Sequence, residues 1–373
     1  MSGRDRNRLC WCGSGKKYKK CHLGRESQQP VSMWDARLEM YRLFSTKTCL
    51  HTNAGSSTCL GPIVKAHTVR RSADLEAIAR NGHVYHPSAD LASLHKTGGK
   101  ISASLIGINE ASTFWGFCHA HDMVTFSPLE TQPLVPTQEQ AFLLAYRPLV
   151  KELYLKERRL ESLEVARRAD KGRPLAGQLA TQGYVHYTGL GVESAIRDLR
   201  HHKSLYDKDL IAHDYGAVRF VAVHLAEAPD VMCSGMVQPS VSFSGQRIQN
   251  LANLDEVLQG VAFSLVATDS GGSAIFSWRA DSDSACGVLV DSLLALPSAD
   301  IPSALVRFAI SEFENTFFRP EWWESLPSDT AQSLTERFMH GVDPHYEARS
   351  GYLEDDGVRA VSWNVRSIEQ KRA

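Results

Sequence analysis

Two close pairs of thiol and imidazole groups lie near the start of the chain, at Cys10, Cys12, Cys21 and His22. Zinc takes four nitrogen or sulfur donors in a tetrahedron, with bonds of about 2.0 to 2.3 Å, and two ligand pairs separated by a loop permit that geometry. The loop GSGKKYKK between the pairs has glycines that allow a tight turn and lysines that can face water. So short a segment cannot build a core, and metal binding would supply its folding free energy. The sequence therefore predicts a zinc knuckle over residues 1–24.

The run RNRLCWCGSGKKYKKCH carries a resemblance to a known family. It resembles the SEC-C motif, a zinc knuckle found at the tail of the bacterial preprotein translocase ATPase and in many unrelated bacterial proteins. The resemblance covers about residues 3–24 and implies docking to a protein or ribosome partner, and not catalysis. The lysines of the loop have a second interpretation, contact with phosphates, beside the ordinary one of a solvated charged face. They are Lys16, Lys17, Lys19 and Lys20.

The same ligand types return between residues 49 and 122. Two early donors on a hairpin and a Cys-x-x-His pair at the start of a helix would assemble a second tetrahedral zinc site. The first choice of ligands is Cys49, Cys59, Cys118 and His121, and His51 competes with Cys49. The alternative interpretation is a set of ordinary buried thiols and histidines. The sequence thus predicts one or two zinc sites.

His67 lies eight residues after Cys59, in the apolar segment PIVKAHTV, which predicts a strand close to the second zinc site. This arrangement resembles the HNH, or His-Me finger, nucleases, in which a zinc site often holds a β-hairpin and a helix together. The resemblance implies a treble-clef or HNH-like unit, with His67 as general base and Asp122 as a ligand of catalytic Mg²⁺ or Mn²⁺. Two features depart from the family pattern, and the first is a gap from His67 to Cys118 that is longer than usual. An asparagine usually stands a few residues before the helix cysteine, whereas Asn109 is nine residues upstream of Cys118.

Phosphodiester hydrolysis explains why these residue types would be needed. It requires a water deprotonated near neutral pH, which a histidine can do, and a divalent cation that stabilises the charge developing on the phosphate. Arg70 and Arg71 follow His67 closely and are expected to position the phosphates of a nucleic acid, or else to be exposed charges. The rival function is a non-catalytic zinc adaptor that docks protein or ribosome partners through the knuckle.

The composition limits the classes of protein to consider. Lys and Arg number 41 against 42 Asp and Glu, so any affinity for nucleic acid must be local. The start MSGRDRNRLCWC has no apolar core of signal-peptide length, and no later stretch approaches the roughly 18 to 20 apolar residues of a membrane span. Eight cysteines in 373 residues are too sparse for a disulfide scaffold. We therefore expect a cytoplasmic protein without membrane contact, and the oligomeric state stays open.

The length of 373 residues predicts two or three domains of mixed α+β class. Changes of pattern suggest a zinc knuckle at 1–24, a zinc-stapled HNH-like unit at 25–136, a helical connector at 137–211 and an α+β domain with antiparallel strands at 212–373. Apolar residues at helical spacing predict helices over 33–44, over 138–169 with a kink near Pro148, and over 193–209.

The last 160 residues or so alternate short apolar runs with Gly, Ser, Asp and Asn, which favours hairpin-linked strands. The runs are AVRFVAVHL (217–225), SVSFSG (240–245), GVAFSLVATD (260–269), SAIFSW (273–278) and CGVLVDSLLAL (286–296). The segment DSGG at 269–272 predicts a turn. Two helices, over 303–318 and 328–341, are expected to flank an apolar loop at 319–326.

Overall fold

The structure, a computed structural model, describes residues 3–88, 101–339 and 351–372. The chain divides into two units, one formed by Met1–Thr46 and Leu153–Arg200 and the other by Lys47–Glu152 and His201–Ala373. These bounds differ from the four segments suggested by the sequence pattern, and the predicted connector contributes residues to both units.

The helices and strands of the described residues follow the mixed α+β class predicted from the sequence. The helices are α1 (Gly3–Asn7), α2 (Met33–Phe44), α3 (Glu76–Ile78), α4 (His119–Glu130), α5 (Gln138–Arg168), α6 (Leu175–Ala212), α7 (Asp283–Leu294), α8 (Ile301–Glu312), α9 (Pro320–Ser325) and α10 (Ser328–Arg337). The strands are β1 (Ile63–His67), β2 (His83–Ser88), β3 (Ser102–Gly107), β4 (Thr113–Cys118), β5 (Val218–Leu225), β6 (Val231–Val237), β7 (Val261–Thr268), β8 (Gly271–Arg279), β9 (Thr316–Phe318) and β10 (Val365–Lys371).

The first unit consists of the N-terminal knuckle, α2, and the parts of α5 and α6 that lie within Leu153–Arg200. The turn that joins α5 to α6 contains Gly172, whose φ of 73° lies in the left-handed region that glycine adopts without strain. Leu163 of α5 and Val185 of α6 are buried in this unit. The helix predicted over 33–44 is confirmed at those bounds.

The second unit contains an eight-stranded antiparallel sheet, with strand order β10-β5-β8-β7-β6-β9-β2-β3. The turn predicted at 269–272 is confirmed, because β7 and β8 pair up to Thr268 opposite Gly271. Strands β2 and β3 come from the segment predicted to form the zinc-stapled unit, and β2 joins the sheet where Tyr85 pairs with Phe318 of β9. The sheet therefore crosses the boundary suggested at residue 136.

The main core of this unit lies between the sheet and helices α7 and α8. Phe263 and Phe276 of the sheet contact Phe308 of α8, with ring centroids 5.2 and 5.5 Å apart. Cys233 and Cys286 are buried in the same core, as lone thiols that behave as small apolar side chains. Burial of this apolar surface is what holds the helices on the sheet.

A separate two-stranded sheet pairs β1 with β4 in antiparallel register, from Ile63 opposite Cys118 to His67 opposite Thr113. Strand β4 runs directly into α4, and Phe126 of α4 packs edge-on against Phe117 of β4 with ring centroids 5.2 Å apart. We call β1, β4 and α4 the ββα unit.

Four predictions for the C-terminal part are wrong. The run at 286–296 lies largely in helix α7, because its buried residues Cys286, Leu289, Val290 and Leu293 have helical spacing. The run at 240–245 forms no strand of the sheet and makes only a bridge between Val241 and Arg247. The helix expected over 303–318 ends at Glu312, and β9 follows it. The loop expected at 319–326 contains the short helix α9.

The remaining predicted helices exist with altered bounds. Helix α5 ends one residue before the predicted limit, α6 begins 18 residues before residue 193, and α10 spans Ser328–Arg337. Residues 340 and 341 of the last prediction lie outside the described residues. No helix within the described ranges combines the length and the apolarity that crossing a membrane requires.

Candidate metal centres

The N-terminal knuckle is a tight turn held by backbone hydrogen bonds. The Cys10 amide donates to the Lys16 carbonyl at 2.8 Å, and the Tyr18 amide donates to the Arg8 carbonyl at 2.8 Å. Gly13 and Gly15 have φ values of 75° and 69°, which only glycine adopts readily, so the predicted role of these glycines in the turn is confirmed. The turn therefore brings the ligand pair before the loop close to the ligand pair after it.

The four predicted ligands of the knuckle meet at one point, and their donor atoms all lie within 4.8 Å of one another. His22 Nδ1 lies 3.1 Å from Cys10 Sγ and 3.2 Å from Cys21 Sγ, and Cys12 Sγ lies 3.5 Å from Cys21 Sγ. A tetrahedral zinc with ordinary bond lengths separates its ligands by about 3.5 to 3.8 Å. Three thiols and one imidazole at these separations fit a zinc ion.

The electrostatics of the knuckle point the same way. Burial raises the pKa of the Cys10 thiol to about 12, so a thiolate at this position requires a cation beside it. Ser14 Oγ lies 3.2 Å from Cys21 Sγ, close enough to donate to a thiolate. His22 Nε2, the ring nitrogen that faces away from the thiols, lies 2.8 Å from Oδ2 of the buried Asp170.

The second cluster is assembled by the ββα unit and the segment before it. The Leu50 amide donates to the Gly116 carbonyl, and the Ala120 amide donates to the Leu60 carbonyl, so the residues flanking Cys49 and Cys59 are bonded to the end of β4 and the start of α4. Cys118 is the last residue of β4, and His121 lies in the first turn of α4.

The donor atoms of the second cluster also lie within 4.8 Å of one another. His121 Nδ1 lies 3.4 Å from Cys49 Sγ, 3.9 Å from Cys59 Sγ and 3.3 Å from Cys118 Sγ. Burial raises the pKa of the Cys49 thiol to about 11, which again calls for a neighbouring cation. The first-choice ligands Cys49, Cys59, Cys118 and His121 therefore fit a second zinc ion.

His51, the competing candidate, takes a different position. Its ring stacks on that of His121 with centroids 4.1 Å apart, and its Nδ1 accepts the Asn53 amide hydrogen bond at 3.1 Å. Burial, together with the positive charges of His121 and Lys203, lowers the pKa of His51 to about 4, which keeps the ring neutral. The structure thus places His51 beside a ligand and not within the four-residue cluster.

His67 lies at the end of β1, half-buried, with Nε2 3.2 Å from the carbonyl oxygen of Ile108. Burial lowers the pKa of His67, and the positive charges of Arg147 and Arg71 lower it further. The Ile108 carbonyl acts in the opposite direction. Asn109, the nearest asparagine to the expected family position, directly follows Ile108 and accepts a hydrogen bond from Arg71 at 3.3 Å.

Asp122 lies in the first turn of α4, next to His121. Its Oδ1 is buried and accepts no hydrogen bond from the residues that the structure describes, although Nη2 of the buried Arg147 lies 3.9 Å away. Burial raises the pKa of Asp122, and Arg147 opposes that change. Arg147 and Glu130 influence the pKa of both His67 and Asp122, which places all four in one electrostatic neighbourhood.

The two arginines predicted to bind phosphate differ in position. Arg70 is only 8% exposed, and its guanidinium donates to both carboxylate oxygens of Asp74, at 2.9 and 2.8 Å, and to the Ala267 carbonyl at 2.9 Å. Arg70 is therefore not an exposed charge, and its assignment to phosphate binding stays a prediction. The side chain of Arg71 is 48% exposed and stays a candidate.

Sequence reasoning missed two residues of these sites, Arg147 and Asp170. Arg147 lies in the apolar stretch of α5, where a single charge is easily taken for an exposed one. Asp170 lies in the run RRADKGRP, and nothing in its surroundings distinguishes it from a solvated turn residue. For Arg147, the one signal in the sequence is its position as an isolated charge inside an apolar helical stretch.

Comparison with protein families matches residues 6–24 to the SEC-C motif. The match contains all four ligands of the first cluster, and it confirms the resemblance found for this segment. Comparisons with curated proteins and with solved structures found no match. The resemblance of the second Cys/His region to HNH nucleases stays a prediction.

Proposed function

We propose that the ββα unit, with its Cys/His cluster, is a metal-dependent nucleic-acid endonuclease in which His67 is the general base. The observation that carries this proposal is the contact between His67 Nε2 and the Ile108 carbonyl oxygen. A carbonyl only accepts hydrogen bonds, so Nε2 must carry the ring proton and donate it. Nδ1 is then the unprotonated nitrogen, which is what a base requires.

The environment of His67 supports the same role. A lowered pKa keeps the ring neutral at neutral pH, so that Nδ1 can take a proton from water. In the proposed reaction, the oxygen of that water bonds to phosphorus, and the bond from phosphorus to the leaving sugar oxygen breaks with its electron pair. Solvent then protonates the leaving oxygen.

Asp122 is the proposed ligand of a catalytic Mg²⁺ or Mn²⁺ ion. Carboxylate oxygens suit these hard cations, and the buried Oδ1 that accepts no hydrogen bond within the described ranges is an acceptor that a cation would satisfy. Such an ion supplies positive charge for the phosphate oxygens when bound. Arg147 Nη2 lies 3.9 Å from the same Oδ1, and the exposed Arg71 is the residue proposed to position a phosphate.

The test uses the purified 373-residue chain with supercoiled DNA and with single-stranded RNA, in magnesium or manganese. We expect the wild type to cleave at least one substrate. His67→Ala should reduce the rate by about a hundredfold or more, since a general base contributes about 10² to 10⁴. His186→Ala, which changes an exposed histidine on α6, is the matched control and should cleave like the wild type.

Circular dichroism of each variant shows whether folding is retained. Equal cleavage by the wild type and His67→Ala, or cleavage by neither on any substrate, would show that the ββα unit is not a nuclease.

We also propose a second, separate role for the knuckle as a docking module for a protein or ribosome partner, which its resemblance to the SEC-C motif implies. Leu9 and Trp11 are 72% and 40% exposed, and the knuckle lysines Lys16 and Lys17 are exposed beside them. Apolar and basic side chains on one small module can contact a partner without catalysis. Pull-down of ribosomes or proteins by the wild type but not by Trp11→Ala would support this role, and equal recovery would contradict it.

A further inference from the structure

Asp170 is a fully buried carboxylate in the turn between α5 and α6, and it receives three hydrogen bonds. His22 Nε2 lies 2.8 Å from Oδ2, Arg25 Nε donates to Oδ1 at 2.7 Å, and Gln182 Nε2 donates to Oδ2 at 2.6 Å. His22 belongs to the knuckle, Arg25 directly follows it, and Gln182 belongs to α6. The carboxylate therefore joins the knuckle to the helical hairpin within the first unit.

The bond from His22 matters because the other nitrogen of the same ring faces the thiols. Nδ1 lies near Cys10 and Cys21, so Nδ1 is the nitrogen that can bind zinc. Zinc binding at Nδ1 leaves the ring proton on Nε2, which then donates to Asp170. In metal sites, a carboxylate that accepts a hydrogen bond from the ring nitrogen not bound to the metal fixes the orientation of the imidazole. It also makes the imidazole a stronger ligand of the metal.

From this geometry we infer that Asp170 is a positioning residue for the zinc ligand His22, and that zinc in the knuckle holds the turn between α5 and α6 in place. The knuckle is thus docked within its own chain, through a contact that depends on the metal. This inference concerns the first cluster alone, and it stands or falls independently of any nuclease activity of the ββα unit.

Further contacts around Asp170 link the α5–α6 turn to the segment that follows the knuckle. The Gly172 amide donates to the Arg25 carbonyl at 3.1 Å, and Gln182 donates to the Arg167 carbonyl at 2.9 Å. Gly172 also lies so close to Pro30 that a Cβ on it would be 2.7 Å from Pro30 Cγ. Loss of the hydrogen bond from His22 to Asp170 should therefore lower the local stability of residues 167–182 as well as that of the knuckle.

The first experiment measures zinc affinity in the full chain by competition with a chromogenic chelator. Asp170→Asn keeps the shape of the side chain but removes its charge, and we expect it to weaken one bound zinc by about 10- to 100-fold while leaving any second zinc unchanged. Asp198→Asn is the matched control, since Asp198 is another buried carboxylate of the same unit, which binds Arg197 on α6. It should leave zinc affinity unchanged.

A purely structural role for Asp170 predicts a different pattern. Gln182→Leu removes a hydrogen-bond donor to Asp170 without changing His22. It should therefore weaken the contact between the knuckle and the α5–α6 turn but leave zinc binding by His22 unchanged. In cobalt-substituted protein we expect Asp170→Asn to shift the visible absorption bands of the metal, which report ligand donation, and Gln182→Leu to leave them in place. Equal effects of both variants on affinity and spectrum would overturn the inference.

Hydrogen exchange on the wild type provides a test that needs no variant. Removing zinc should speed the exchange of the Gly172 amide and of the neighbouring turn within 167–175, by at least tenfold. Unchanged protection of this turn after the knuckle has lost its zinc would overturn the coupling, even if Asp170→Asn fails to fold.

Discussion

Arg70 and Arg71 are neighbours in sequence, yet the fold uses them differently. The guanidinium of Arg70 forms a two-pronged pair with Asp74, whose carboxylate is fully buried and also accepts the Ala267 amide at 3.0 Å. A buried pair of this kind contributes little net stability when intact, but removal of one partner leaves an uncompensated charge in the interior. Arg71 has no such constraint, because its pairing with Glu76 at 3.9 Å is exposed.

We therefore expect Arg70→Ala to lower the free energy of unfolding by about 3 to 5 kcal/mol, since it strands the charge of Asp74. Urea unfolding followed by tryptophan fluorescence measures this change. A loss below about 1 kcal/mol would mean that Asp74 does not depend on Arg70.

The control for that experiment is Arg71→Ala, which should change stability by no more than about 0.5 kcal/mol, as exposed substitutions do. If the ββα unit binds nucleic acid, the same variant should weaken binding for all sequences and reduce the salt slope by about 1. The spacing of Arg70 and Asp74, four residues apart in VRRSADL, could have indicated a local pair from sequence alone. The burial of that pair could not be predicted, since it depends on Ala267, which is 197 residues away.

The β7–β8 hairpin illustrates how a strand connection is fixed by one residue. Gly271 has a φ of 135°, and a Cβ there would lie 2.3 Å from the Leu225 carbonyl oxygen and 2.7 Å from that of Ala226. The turn can therefore close against the end of β5 only because position 271 has no side chain.

Gly271→Ala should accordingly destabilise the protein by about 1 to 3 kcal/mol, through backbone strain and the displaced carbonyls. Gly191→Ala is the matched control: Gly191 lies in α6 with nothing within 4 Å of its added Cβ, and helix propensity predicts a gain of up to about 1 kcal/mol. Thermal unfolding of both variants gives the comparison. A Gly271→Ala protein as stable as the wild type would show that the hairpin tolerates another turn.

Elements with a strong local signal were predictable, and those that depend on distant partners were not. The amphipathic pattern of Met33–Phe44 gave α2 at its observed bounds. The pattern does not predict the start of α6, because Gly177, Gly183 and Gly189 lower helix propensity there. Packing against α5 offsets this: a Cβ added at Gly189 would lie 3.6 Å from Leu163 Cδ1. Strand β9 cannot be predicted from its pattern, because a three-residue strand has no periodicity of its own and exists through its pairing with β6.

The metal ligands could be predicted because metal binding requires particular side chains at short spacing, whereas contacts between distant parts of the chain could not. Cys10, Cys12, Cys21 and His22 form a complete pattern within 13 residues. Asp170, by contrast, is 148 residues from His22, and the sheet joins β2 to β9 across more than 200 residues. Such pairings arise from packing of the whole chain, and no local period encodes them.

The metal content of the 373-residue chain tests both clusters at once. If both bind zinc, the purified chain should hold two zinc ions, measured by inductively coupled plasma mass spectrometry against protein concentration. Cys12→Ser removes a donor from the first cluster and Cys59→Ser from the second, so each variant should retain one ion and the double variant none. Cys286→Ala, a buried thiol outside both clusters, is the control and should retain two. Two ions in Cys59→Ser would exclude the second cluster as a metal site, and the proposed nuclease would then lack the zinc that holds its hairpin to its helix.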